Sequence, residues 1–338
     1  MSEYRKGAAG ETALPGNISP IEFAKKRRHR RGRFTCLLGL LAGAAGLVAG
    51  RLGDLWIHFD VFAQLTLHFL VIAVACLVGF FMPRARALTA LVLIIAAVLA
   101  ISLATHMVSK APRVVSTAGP QEASLRLVSF NTWYHNDRID DVATSVEAMD
   151  GDIVTLLEFG PGKKPILDRL KARYPYQFDC LNFDYCNLVI LSKYPFTETP
   201  EAKASWDGPP YVHARFGPEL GNLTLIGVHT LRFPHQRAQF TQLNFLARLV
   251  EAQPTPVVVM GDFNATPFSR QVRTFAERTG LRRLTYLPSW PARLQLPQFA
   301  IDHVFVSPSI RLLEDERIGN NAGSDHNPIT LGIAIPRQ

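Results

Sequence analysis

The sequence predicts a mixed α/β (α+β) domain over residues 124–338, preceded by three transmembrane helices. Three observations carry this expectation. Three apolar stretches without charge, Phe34–Gly50, Val61–Met82 and Leu88–Thr105, precede residue 108. After residue 123, short apolar runs of strand length each stop at a carboxylate, an amide or an imidazole. The chain of 338 residues, 48% hydrophobic, is long enough for one large core in addition to the apolar segments.

The elements follow in chain order. Met1 to Pro20 has mixed polar composition without periodicity, and residues 1–33 read as a disordered basic cytoplasmic tail ending in Lys25-Lys26-Arg27-Arg28-His29-Arg30-Arg31-Gly32-Arg33. That run abuts an apolar stretch, which favours a cytoplasmic membrane-side anchor over a nucleic-acid arm. Each apolar segment approaches the ~20 residues that cross a bilayer, giving three spans within 34–107. The first is short enough to resemble a signal-peptide core, but two more follow it, which favours a retained anchor. The tail and the second loop, with Arg84 and Arg86, are basic, whereas the first loop, Arg51 to Asp60, has one Arg against two Asp. Basic loops stay inside, so the domain after the third span is expected outside the cytoplasmic membrane. Gln64 and His68 read as interfacial or helix-pairing groups. Residues 108–123, with Pro112, Gly119 and Pro120, form a linker.

Charge narrows the partners. Net charge is +8, but the excess sits in the N-terminal part, leaving 23 basic and 23 acidic residues for 111–338. A domain that lives on duplex phosphates usually carries a basic excess, so nucleic acid is the less favoured substrate. Of the four cysteines, Cys36 and Cys76 fall in apolar segments. Cys180 and Cys186 flank a possible hairpin turn, either as free thiols or, in an oxidising compartment, as a disulfide closing a small loop.

The polar strand ends carry the chemistry. Leu125–Phe130 delivers Asn131. Asp152–Leu157, after an expected helix over Asp140–Met149, delivers Glu158. Leu223–Val228 delivers His229, and the valine run at 257–259 leads through Gly261 to Asp262 and Asn264. Ala300-Ile301 leads into Asp302, and Ser324-Asp325-His326 precedes an apolar strand over Ile329–Ile335. Taken singly, each is an ordinary cap or Asx turn. Six of them, without a candidate Ser or Cys nucleophile, point to one polar site at the ends of a sheet.

Oxygen-rich ligands such as Glu158 suit a hard cation, Mg2+ or Mn2+, and zinc spacings are absent. Phosphoryl transfer to water needs a polarised phosphate, an oriented water and a sink for spreading charge. Asp262 can take the proton of that water, with Asn264 holding it or a phosphate oxygen. His229 and His326 can donate to the phosphate, and Asp302 can fix an imidazole.

As an ordered set, Phe130-Asn131, Asp152–Glu158, Leu191–Pro195, Val228-His229-Thr230, Gly261–Pro267, Ile301–Val304 and Ser324-Asp325-His326 resemble the endonuclease/exonuclease/phosphatase superfamily across nearly all of 124–338. The resemblance implies a four-layer sandwich of two packed β-sheets flanked by helices, and metal-dependent hydrolysis of phosphoester bonds. It assigns Asn131 and Glu158 to metal and phosphate, His229 and His326 to phosphate, Asp262 with Asn264 to the water, Asp302 to His326, and Asp325 to the metal or its surroundings. Leu157 stands where many members carry Gln, and Lys193 where Arg is more usual. Three apolar segments before the domain, and Leu287–Phe299 before Asp302, resemble a bacterial membrane-tethered branch. There Trp290 and Arg293 either touch substrate or pack a Pro-rich loop.

The resulting expectation is a membrane-anchored hydrolase of lipid-linked or small phosphate substrates on the outer side of the cytoplasmic membrane. The alternatives are a Mg2+-dependent nuclease and a non-catalytic binding module on the same fold.

Overall fold

The computed structural model describes residues 20–81, 117–182, 185–200, 208–254, 256–294 and 299–337. They fall into two compact units, one with residues 20–44 and 68–81, the other with 45–67 and 117–337.

The helix Pro20–Arg51, of which residues 20–44 belong to the first unit, begins at a proline, whose missing N–H costs nothing at a helix start. Residues 20–33 are therefore helical, not disordered as expected, since Lys and Arg are good helix formers. Gly39 and Gly43 let a neighbouring helix approach: a Cβ at Gly43 would meet the Phe69 carbonyl and Ala73, and one at Gly39 would meet Cys76. Cys36 and Cys76 are both free.

Among the described residues one helix, Arg30–Asp54 with 25 residues, is long and apolar enough to span a membrane, or two if a broken pair counts as one span. The second apolar segment is that pair. Instead of one helix over 61–82 it forms Asp60–Gln64 and Thr66–Phe81, interrupted at Leu65. Leu88–Thr105 lies outside the described residues, so three spans are not established.

The second unit holds two six-stranded mixed sheets. The first has the order β11–β12–β1–β2–β4–β3, the second β5–β6–β7–β8–β10–β9. In the first sheet β1 (Glu122–Asn131) runs parallel to β2 (Ile153–Leu157), and β12 (Ile329–Pro336), β4 (Val189–Ser192), β3 (Tyr176–Asp179) and β11 (Arg311–Ile318) complete it antiparallel. In the second, β7 (Thr224–His229) runs parallel to β8 (Val257–Asp262), flanked by antiparallel β6 (Tyr211–Phe216) and β10 (Asp302–Val306), with β5 (Phe196–Glu198) and β9 (Arg282–Arg283) at the edges. β1 starts inside the expected linker, because Glu122 and Ala123 already pair with Pro336 and Ile335.

Each parallel pair needs a crossover, and helices Ile139–Met149 and Gln236–Glu251 supply them. Both are amphipathic, and their apolar stripes meet the outer sheet faces: Val142 and Val146 with Val154 and Phe130, Leu243 and Leu246 with Val257 and Val259. The inner faces interdigitate through Leu127, Leu157, Leu225, Met260, Val304 and Ile333, all at most 1% exposed. Each such side chain contributes roughly 1.5–3 kcal/mol on burial. The result is a helix–sheet–sheet–helix sandwich, as the sequence predicted for this region.

Cys180 and Cys186 form a disulfide that closes the turn between antiparallel β3 and β4.

Candidate active site and metal centre

Parallel strands end at the same edge, and this brings the predicted residues together. β1 ends on Asn131, β2 stops one residue before Glu158, β7 ends on His229 and β8 on Asp262. His229 is the register partner of Asp262, and Asp262 the register partner of Asp302 at the start of antiparallel β10. Asn131 Nδ2 donates to Glu158 Oε1 and to Asp262 Oδ2, both at 3.0 Å. His229 Nε2 lies 3.5 Å from Glu158 Oε1 and 3.7 Å from Asp262 Oδ2. His326 Nδ1 contacts Asp302 Oδ2 at 2.8 Å, while its Nε2 is 3.6 Å from Asp262 Oδ2.

The loops are shaped for these positions. Gly261 has φ 147°, and any Cβ there would collide with the Val228 carbonyl, so only glycine lets β8 deliver Asp262 beside β7. Glu158 and Asn264 sit in the left-handed region at φ 49° and 47°, a conformation that persists only when neighbours hold it. Asn264 N–H closes an Asx turn on Asp262 Oδ1 at 2.7 Å, and its Nδ2 reaches Asp262 Oδ2 at 3.1 Å and the Thr230 carbonyl at 2.9 Å. The motif is thus an Asx turn that also sets Asp262 against Asn131 from the other sheet. Ser324 Oγ donates to the Asn131 carbonyl at 2.7 Å and accepts from His326 N–H at 3.1 Å, tying the last motif to the end of β1.

Two carboxylates here experience opposite fields. Asp262 is 1% exposed, and burial, aided by the charge of Asp302, pushes it up to about 6 against the pull of His326 and His229. Burial also works on Glu158, but His229, the Tyr134 N–H and Asn131 outweigh it and hold this carboxyl below its usual value. Burial alone would neutralise His326; Asp302 and then Asp262 more than reverse this and raise it to about 10.

One ligand atom each from Glu158, His229 and Asp262 lies within 4.8 Å of the others. Two converging carboxylates with only an amide and an imidazole between them suit a divalent cation, which relieves their repulsion. Glu158 is the more open of the two and fits as the principal ligand. Asn131 turns its amide oxygen to Trp133 N–H at 3.0 Å, so it meets the carboxylates through its NH2. Asp262, Asp302 and His326 also cluster, but there the imidazole already bridges the acids.

The Endonuclease/Exonuclease/phosphatase family pattern matches residues 128–326. The chain belongs to this family. Its class of chemistry is the hydrolysis of phosphoester bonds. No curated protein sequence matches the chain. Solved structures with the same fold include humanized D. rerio TDP2, at 17% identity and TM-score 0.52 over 62% of this chain and 98% of that one. An endonuclease/exonuclease/phosphatase family protein from Bacteroides thetaiotaomicron shares 16% identity at TM-score 0.51, over 64% and 96%. A mutant beta toxin from Staphylococcus aureus with bound magnesium ions shares 18% at TM-score 0.51, over 62% and 99%.

This cluster of strand-end residues opens into a cavity of about 590 Å³. Glu158, His229, Asp262, Asn264, Asp325 and His326 line its polar side; Leu231, Phe233, Pro234, Trp290 and Ile301 line an apolar wall. Phe299 packs at a tilt against Trp290 and Phe233, with ring centres 5.6 and 6.2 Å away, bracing that wall. Trp290 Nε1 donates to Asp325 Oδ2 at 3.2 Å, so this carboxylate faces an indole and belongs to neither of the clusters above. Arg293 is exposed, its guanidinium 3.7 Å from the centre of the Trp133 ring. Leu157 points into the inter-sheet core, and Lys193 pairs with Asp150 and Asp152.

Sequence reasoning missed Lys163 and the 231–234 wall. Lys163 is 2% exposed and donates from Nζ to the carbonyls of Trp133 at 2.7 Å, and Tyr134 and Glu158 at 3.2 Å. Burial lowers it to about 8, with the charge of Glu158 opposing. It locks the turn after β1 to the turn after β2. Its one signal was a lysine pair, Lys163-Lys164, five residues past Glu158, indistinguishable from a solvated surface pair.

Proposed function

We propose that this family member is a membrane-anchored, divalent-metal-dependent phosphoesterase that hydrolyses lipid-linked or other small phosphate esters or pyrophosphates outside the cytoplasmic membrane. One observation carries the reading. Asn131, Glu158, His229, Asp262 and His326 meet within hydrogen-bonding or ion-pair distance, beside an apolar wall of Leu231, Phe233, Pro234 and Trp290.

Glu158, with Asp262 and His229 near it, would hold Mg2+ or Mn2+, which when bound supplies polarisation of a phosphoryl oxygen. The rest is done by the chain itself. Asp262 takes a proton from the attacking water, and its raised affinity for a proton suits a base. Asn264 keeps that carboxylate aimed through the Asx turn. Asp302 holds the Nδ1 proton of His326, leaving Nε2–H to donate to a phosphate oxygen as negative charge spreads. His229 adds a further donor, and the Asn131 NH2, bonded to Glu158 and Asp262, holds the two carboxylates together. Trp290, on the cavity wall, contacts the organic part of the substrate, while Arg293 lies outside that lining, over the Trp133 ring.

The membrane part of the proposal rests on the apolar helix Arg30–Asp54 behind a basic run. The outward-facing part draws on the Cys180–Cys186 disulfide, which suits an oxidising compartment. It also draws on residues 55–67, which follow that helix, fold with the catalytic unit and so share its side of the bilayer. An odd number of crossings ahead of the catalytic unit satisfies both.

The test uses the full chain in detergent with Mg2+, Mn2+ or EDTA. Lipid pyrophosphates, phospholipids, inositol phosphates and single-stranded and duplex DNA are compared. Metal-dependent release from a lipid or small ester, lost in Asp262→Ala, is the expected result. Faster cleavage of DNA would replace the substrate class with a nuclease's, and no cleavage of any ester would leave a binding module.

A further inference from the structure

Gln64 and Asp60, which the sequence assigned to a membrane span and its edge, sit on the loop that follows Asp262. Gln64 is 2% exposed and its Oε1 accepts Thr266 N–H at 2.6 Å. Asp60, fully buried, accepts Arg270 N–H on Oδ1 at 2.7 Å, at the N-terminus of helix Arg270–Thr279. Around them Arg270 Nη1 reaches the Gly53 carbonyl at 3.2 Å, and Arg273 Nη2 pairs with Asp54 at 2.7 Å. A buried amide and a buried carboxylate are costly unless their hydrogen bonds are made. Here one oxygen of each is bonded to the backbone of residues 266–270, while Gln64 Nε2 and Asp60 Oδ2 stay buried without a partner, and the second apolar segment breaks at Leu65 beside them.

The loop thus held is the one that carries Asn264. Gln239 Nε2 donates to the carbonyls of Phe263 and Asn264 at 2.9 and 3.0 Å, and His303 Nε2 meets the Ala265 carbonyl at 2.9 Å. Gln64 takes the next backbone group in line, Thr266 N–H. Three successive clamps therefore fix a loop whose Asn264 sits at a positive φ, and the last clamp comes from the membrane-proximal segment. Ordering of this kind matters because a displacement of about 1 Å in a reacting group can cost on the order of a hundredfold in rate.

We propose that Gln64, supported by Asp60, is a positioning residue for hydrolysis. The segment 52–67 completes the seat of Asn264 and Asp262, so that the membrane-proximal chain is part of the catalytic machinery and not only its tether. The proposal rests on the phosphoesterase reading for its rate effect, but the clamp itself is independent of it.

Two readouts on the full chain in detergent micelles test this: amide hydrogen exchange, and hydrolysis of a chromogenic phosphodiester with Mg2+. In Gln64→Leu, which keeps bulk but loses the acceptor, Thr266 N–H exchanges at least tenfold faster while the amides of β2 are unchanged. The same variant loses at least tenfold in kcat with KM within twofold. Unchanged exchange at Thr266, or faster exchange with unchanged kcat, overturns the positioning role. If Gln64→Leu does not fold, Gln64→Asn, one methylene short of Thr266, is read in the same way, and failure of both to fold assigns Gln64 to stability alone. If the parent hydrolyses no ester, the phosphoesterase reading falls, and the exchange arm alone decides whether Gln64 holds the loop.

Discussion

The two halves of the catalytic unit are built alike and charged differently. β1 and β2, joined through helix Ile139–Met149, deliver Asn131 and Glu158; β7 and β8, joined through helix Gln236–Glu251, deliver His229 and Asp262. In each half a parallel pair places a hydrogen-bonding group beside a carboxylate at the same edge. The Glu158 side chain keeps 26% of its surface exposed and is held easily ionised, whereas that of Asp262 keeps 1% and is pushed toward its protonated form. Equivalent places in the chain path therefore receive different work from their surroundings: an open anion suits a cation, and a buried, reluctant anion suits a proton.

Exchanging each acid for its amide tests that division with the largest expected effect. Asp262→Asn should lower kcat by about a thousandfold or more at any metal concentration, because an amide cannot accept the proton. Glu158→Gln should instead raise the Mg2+ concentration for half-maximal rate at least tenfold, with part of the rate recovered at high Mg2+. Metal titrations of initial rate separate the two. If both variants respond alike to metal, the halves do not differ in the way their burial suggests.

The two halves were not equally legible. Asp262 announced itself because a valine run, a glycine and an Asx turn occur together, each with its own local physics. Glu158 was legible through the strand before it, but Lys163, which locks its turn, was not, since burial of a lysine depends on carbonyls 29 and 30 residues away. The same limit hid Leu231–Pro234: nothing local says that residues after His229 will wall a cavity. Gln64 was misplaced for a related reason. An apolar run of the right length reads as one helix, and nothing local tells of the distant Thr266 N–H and Arg270 N–H that Gln64 and Asp60 meet beside its break at Leu65. The periodic, locally determined elements were readable, whereas groups whose role depends on a distant partner were not.

Asp302→Asn probes the imidazole pair that faces Asp262, with a smaller effect. A neutral amide removes the strongest support for the His326 proton. In the metal-free parent the imidazole is held protonated to about pH 10, above its ordinary 6.5. The stability it contributes is therefore complete below about 6.5 and fades as pH rises toward 10. In Asp302→Asn that window should contract toward 6.5, visible as an earlier alkaline fall in thermal unfolding temperature. Where rate depends on the protonated imidazole, kcat should drop by roughly ten- to a hundredfold at pH 8 and by less at pH 6. A pH profile parallel to the parent's would remove Asp302 from this role.

The smallest effect is expected from the only covalent brace among the described residues, and it lies in the first half. The Cys180–Cys186 bond closes the turn between β3 and β4, and Asn187 just after it accepts Phe159 N–H at 2.8 Å, one residue beyond Glu158. Closing so short a loop contributes about 2 kcal/mol on the chain-entropy account. The double substitution to serine should lower stability by that amount in a denaturant titration. Its effect on rate should be confined to the first half: a two- to fivefold rise in the Mg2+ requirement, transmitted through Phe159 to Glu158, with kcat at saturating Mg2+ unchanged. Loss of kcat with an unaltered Mg2+ requirement would mean that the brace acts on Asp262 instead, and that the two halves are mechanically coupled across the site.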